Sequence, residues 1–131
     1  MRGFIAASNV TKEQMAQHIR DLCARHDIRV VWLHRTAQSY SIRKRDGAAN
    51  EIGIVPVRSA ISYAVALHEI GHIIGRKQTS HTAVGIRERW AWKWAQENAL
   101  NARAKEYAWK SAEWWSDQTE GLSLPFFVQR S

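Results

Sequence analysis

The run His68-Glu69-Ile70-Gly71-His72 is where residue type and spacing in this 131-residue chain converge on a definite chemistry. A step of four residues turns an α-helix by about 400°, so the two imidazoles share one face. Two neutral imidazoles so placed can hold a metal ion, and Glu69 projects beside them within reach of a water polarised by that ion. Zinc suits the set, because it takes nitrogen and oxygen donors tetrahedrally and lowers the pKa of water to about 7. On this reading His68 and His72 are metal ligands. Glu69 is the general base that takes a proton from water attacking a carbonyl and returns it to the leaving amine. The bland alternative is a pair of core histidines bonded to backbone or water, with Glu69 on a solvent edge.

The surrounding helix argues against that alternative. After Pro56, Ser59 or Ser62 can cap a helix reaching Gly75, and Ile61, Ala64, Val65, Ala66, Leu67, Ile70, Ile73 and Ile74 leave it almost no polar face. A helix apolar on nearly all sides is a buried one, and buried histidines and carboxylates need partners. A catalytic zinc wants a third protein ligand and an open position. Two residues downstream are candidates, His81 and Glu88. Glu88 is preferred, since Ala91 and Ala95 follow at i+3 and i+7 on its helix face, and small residues there permit close approach to the histidine helix. His81 otherwise reads as a plain loop histidine, and Tyr63 as a group close behind the site.

Further elements must position this helix. Thr11 can cap a helix to about Arg25 whose inner face is Met15, Ile19, Leu22 and Cys23. Ile28–Leu33 reads as a buried strand. The stretches 40–43 and 51–55 read as a hairpin, with Asp46-Gly47 and Asn50 supplying turn chemistry. Residues 76–85 read as a loop, 86–109 as one long helix and 111–117 as a further helical stretch. Residues 118–131, with Gly121 and Pro125, read as an irregular tail. The expected fold is α+β: an N-terminal helix, a small three-stranded sheet, and a buried histidine helix packed on a long C-terminal helix. The length and the 45% apolar content suit one domain over 1–131.

Composition narrows the function classes. No run of about 20 apolar residues can span a membrane, and the start carries no secretory pattern. Cys23 stands alone and reads as a buried, inert thiol, consistent with a reducing, cytoplasmic setting. The formal charge of +7 is spread along the chain; its one tight group, Arg43-Lys44-Arg45, reads as a solvated turn, so direct nucleic-acid binding is not expected. Of the seven tryptophans, most should be packing residues. Trp92, pointing away from Trp90 and Trp94, is expected near a surface or partner, and Trp114-Trp115 cannot both face one core. His18, His26 and His34 carry no neighbours that suggest chemistry.

Two resemblances bear on the motif. From His68 to Gly75 the chain resembles the metzincin proteases, but Gln78 stands where that family has its third histidine, and His81 comes three residues later. The run Glu88-Arg89-Trp90-Ala91-Trp92-Lys93-Trp94-Ala95 fits the E-x-x-A-x-x-aromatic-Ala signature that follows the histidine motif in the ImmA/IrrE-like metallopeptidases. With the upstream order of helix, strands and buried histidine helix, the resemblance covers roughly residues 11–100; the tryptophans at 90, 92 and 94 are bulkier than that family's usual residues. It implies a minimal zincin-like fold and a gluzincin-like zinc site of His68, His72 and Glu88, with Glu69 catalytic. It also implies a phage or mobile-element setting and a protein or peptide substrate such as a DNA-binding repressor. The competing expectation is a zinc-stabilised protein that grips a partner through its Trp-rich helices without catalysis.

Overall fold

The structure, a computed structural model, describes residues 9–43, 50–75 and 83–126, with side chains as far as residue 118. Among them the order is α1 (Lys12–Arg25), β1 (Ile28–Trp32), β2 (Tyr40–Ile42), β3 (Asn50–Ile54), α2 (Ala60–Ile74), α3 (Val84–Asn98) and α4 (Ala102–Phe126). The class is α+β, four helices with a small mixed sheet in the order β1-β3-β2.

Thr11 caps α1 in a reciprocal box with Gln14, which satisfies backbone donors that a helix start leaves open. Its buried face is Met15, Ile19, Leu22 and Cys23, the expected stripe. The chain turns out of α1 at Asp27, in the left-handed region at φ 54°, which Asp tolerates better than bulkier residues. β1 then pairs in parallel with β3, from Ile28↔Asn50 to Trp32↔Ile54. Among the described residues β1 is bonded on one side only, and it is less buried than its composition suggests: Ile28 is buried, but Trp32 is 51% exposed. β2 and β3 pair antiparallel as the expected hairpin arms, Tyr40↔Gly53 through Ile42↔Glu51. Gly53 lets the Tyr40 ring lie across it, where a β-carbon would collide with that ring. The Tyr40 hydroxyl donates to Glu51 Oε2 at 2.6 Å. The Asp46-Gly47 turn falls outside the described residues, as does most of the 76–85 loop.

α2 is the hub, touching α1, β2, β3, α3 and α4. Ser59 caps it and Ser62 completes the box. Tyr63, Leu67 and Ile70 of α2 join Ile19, Ile52 and Ile54 as fully buried side chains. Gly75 ends α2 at φ −75°, so its role is not a left-handed cap. Arg43 donates to Ile73 O in the last turn of α2 at 3.2 Å, a role the solvated-turn expectation did not include.

The expected single helix over 86–109 is two helices. Asn101 breaks it: its Oδ1 accepts from Ala104 N at 2.9 Å, an N-cap for α4, and its Nδ2 donates to Met15 Sδ at 3.2 Å. α4 in turn runs on to Phe126, so the backbone of 118–126 is helical where an irregular tail was expected. Pro125 is the last residue but one of that helix. No helix among the described residues is long and apolar enough to cross a membrane.

Candidate metal centre

α2 carries His68, Glu69 and His72 into the interior, at 7% and 5% exposure for the first two. α3 brings Glu88 to meet them. The crossing depends on small residues: Ala91 and Ala95 are fully buried, and Gly71 packs directly on Ala91. A β-carbon at Gly71 would lie 2.8 Å from Ala91 O and 3.2 Å from Trp94 Cε3. The glycine of the motif and the alanines downstream of Glu88 therefore act as one device for close helix approach.

The Glu88 carboxylate spans both imidazoles, with Oε1 2.7 Å from His68 Nε2 and Oε2 2.8 Å from His72 Nε2. The two Nε2 atoms are 3.1 Å apart. Tetrahedral zinc with bonds of about 2.0–2.1 Å separates its donors by roughly 3.3 Å. The two separations to Glu88 are thus about half an ångström shorter than in a zinc site and the one between the imidazoles about 0.2 Å shorter, so the donors would have to spread to take the ion. Among the described residues, these three are the group able to hold a metal. His81 lies outside the described residues.

Electrostatics fit the same picture. Burial alone would lower the pKa of His68, but the Glu69 and Glu88 carboxylates outweigh it and hold it up to about 9. Burial would raise that of Glu88, yet the two histidines bring it down to about 2. Glu69 is lowered as well: His68 and the Ser39 hydroxyl overcome its burial. His68 Nδ1 is buried without a hydrogen-bond partner, 3.5 Å from Glu69 Oε2, a charge-pairing distance without hydrogen-bond geometry. A metal at Nε2 would leave the proton on Nδ1, facing that carboxylate.

Three contacts were not legible from the motif. Ser39 Oγ donates to Glu69 Oε2 at 2.7 Å, across thirty residues of sequence. Trp92 stacks on His68, ring centroids 4.1 Å apart and planes 18° apart, and is only 7% exposed. It is therefore a wall of the site rather than a surface residue; its place one helical turn after Glu88 was the available signal. Tyr63 stands away from the metal ligands: its hydroxyl pairs with His18 Nδ1 at 2.5 Å and accepts from Leu100 N at 3.1 Å. Cys23 is buried and its thiol pKa is pushed up to about 11 by desolvation, as an inert thiol should be.

The centre opens into a cavity of about 520 Å³. Gln38 to Ser41 form one side, Val65 and Val84 contribute apolar surface, and Arg87, Trp92 and Trp115 complete the lining. A separate recess of about 690 Å³ lies between α3 and α4 and shares no residue with the centre; Trp90, Trp94 and Trp109 line it. Trp114 is 54% exposed while Trp115 is half-buried, so the adjacent pair does divide between solvent and interior. Comparison with protein-family models, with curated proteins and with solved structures finds no match for this chain.

Proposed function

We propose that this chain is a zinc-dependent endopeptidase of gluzincin type, similar to the ImmA/IrrE-like metallopeptidases. The observation that carries the reading is the convergence of His68, His72 and Glu88 with an ionised, oriented Glu69 beside them. Zinc held by that triad would supply Lewis acidity, polarising a peptide carbonyl and acidifying water. Glu69 then accepts the proton of the attacking water and returns it to the leaving amine. Ser39 occupies Glu69 Oε2, and among the described residues Oε1 takes no hydrogen bond, which leaves it to work as the acceptor. Trp92 packs on the His68 ring and limits its rotation. Among the described residues β2 is bonded to β3 alone, and its Tyr40 and Ser41 line the cavity, so an extended peptide can add along that edge. By the same resemblance the substrate is a regulatory protein such as a DNA-binding repressor, met in the cytoplasm.

The test is metal content and hydrolysis together. One zinc per chain should be lost with Glu88→Ala and kept with Glu69→Gln, while Glu69→Gln abolishes peptide cleavage. Turnover that survives Glu69→Gln would sink the assigned role. A second reading draws on the Trp-lined recess and on the exposure of Trp109 and Trp114. In it zinc serves stability, and the helices bind a partner. Chelation then lowers both melting temperature and partner binding, and Glu69→Gln changes neither.

A further inference from the structure

Arg87 stands one residue before the Glu88 ligand and lines the cavity of the centre. It is half-buried, and among the described residues its side chain makes no hydrogen bond or ion pair; its Nε is fully buried without a partner. The two nearby carboxylates do not serve it. Glu88 commits one oxygen to each imidazole, and Glu69 Oε2 is held by Ser39 and faces His68. The other lining residues outside the histidine–glutamate group are neutral: Gln38, Ser39, Tyr40 and Ser41 on one side, valines and tryptophans on the other. A guanidinium cannot discharge by losing its proton, and partial burial beside carboxylates that are already bonded to the histidines and Ser39 favours an anion brought from outside. Charge points the same way, since a divalent ion and Arg87 together outweigh the single charges of Glu69 and Glu88.

We infer that Arg87 recognises a carboxylate of the substrate next to the scissile bond, so that the site prefers peptides carrying an acidic side chain or a free C-terminus there. This rests on the peptidase reading for the word substrate, but the recognition is testable without turnover. The planar fork of arginine matches a carboxylate in two parallel hydrogen bonds, whereas lysine offers a point charge. Arg87→Lys should therefore keep part of the preference and Arg87→Gln none.

The experiment uses the full chain loaded with zinc and carrying Glu69→Gln, titrated calorimetrically with short N-acetylated peptides in four forms. These combine Glu or Gln at an internal position with a free or amidated C-terminus. Circular dichroism and zinc content of each Arg87 variant check that the fold and metal centre are intact. A carboxylate should tighten binding roughly tenfold to a hundredfold over its amide counterpart, as a charged hydrogen-bonded pair does. The Glu/Gln comparison and the free/amidated comparison identify which carboxylate is read. The advantage should vanish in Arg87→Gln and survive in part in Arg87→Lys. Equal binding of acid and amide forms, no binding of any acid form, or a preference that persists in Arg87→Gln would each overturn the inference. A preference that behaves as expected, in a protein whose Glu69 form cleaves nothing, would instead overturn the peptidase reading and leave Arg87's role standing.

Discussion

Replacing Gly71 by Ala tests whether the approach of α2 to α3 sets the metal centre. The added methyl would meet Ala91 O at 2.8 Å and Ala91 Cα at 3.3 Å. Both are backbone atoms, so a rotamer change cannot relieve the clash. An ordinary carbon–oxygen contact is about 3.3 Å or longer, which requires roughly 0.5 Å of helix separation. Overpacking of this kind costs about 1–3 kcal/mol, and the better helix propensity of Ala returns up to about 1 kcal/mol. Net destabilisation should be about 0–3 kcal/mol, a protein that still folds. The centre should suffer more than the fold. Glu88 sits three residues before Ala91 on the same helix and moves with it, while a metal site tolerates only about 0.5 Å of misplacement. Zinc affinity should fall about 10- to 100-fold, the range seen when groups supporting a ligand are disturbed. Competition with a chromophoric chelator reads the affinity, and urea unfolding reads the stability. Zinc affinity within twofold of the parent, in a variant folded to the same extent, would refute the idea that this contact positions Glu88.

Zinc uptake should depend on pH with a definite sign. In the metal-free protein the folded state holds the His68 proton more tightly than the unfolded chain does. That contribution to stability is complete below 6.5 and is lost as pH rises through about 9. Binding at Nε2 must expel the proton, so zinc affinity should climb across this window by up to about tenfold per pH unit; a flat profile from pH 6.5 to 9 would contradict the pairing. Ser39→Ala should leave zinc content unchanged and lower turnover roughly tenfold by freeing Glu69; Ser39→Ala turning over as the parent does would remove Ser39 from the site. Asn101→Ala should cost about 1–2 kcal/mol through loss of the α4 cap, and denaturant midpoints that coincide would show the cap to be idle.

What the chain discloses about itself follows the range of the interactions involved. The caps at Thr11 and Ser59, the inner stripe of α1 and the antiparallel pairing of β2 with β3 all rest on neighbours close in sequence, so residue pattern reaches them. Within the site, His68 and His72 share a helix face by spacing alone. Glu88 was reachable because Ala91 and Ala95 signal a tight crossing on its own face. The break at 99–101 was missed because Ala-rich, breaker-free sequence favours one helix, and the deciding force is an Asn101 side chain that ties the α4 start to Met15 of α1. β1 was expected to be buried because β-branched composition does not reveal whether a strand lies at an edge.

Ser39 and Arg87 mark the limit most clearly. Ser39 reaches Glu69 only because the strand order β1-β3-β2 puts β2 against α2, and no local pattern encodes that adjacency. Arg87 is adjacent to Glu88, yet its meaning comes from the partners it lacks among the described residues, and a lack of partners cannot be read from spacing. The donors that can hold the ion are thus written into two helix faces, while the groups that orient the base and line the cavity arise from how the sheet and helices assemble. Chemistry and selectivity in this chain should accordingly separate under mutation. Changes at His68, His72 or Glu88 should remove metal and activity together, and changes at Ser39 or Arg87 should leave the metal in place and alter rate or choice of peptide.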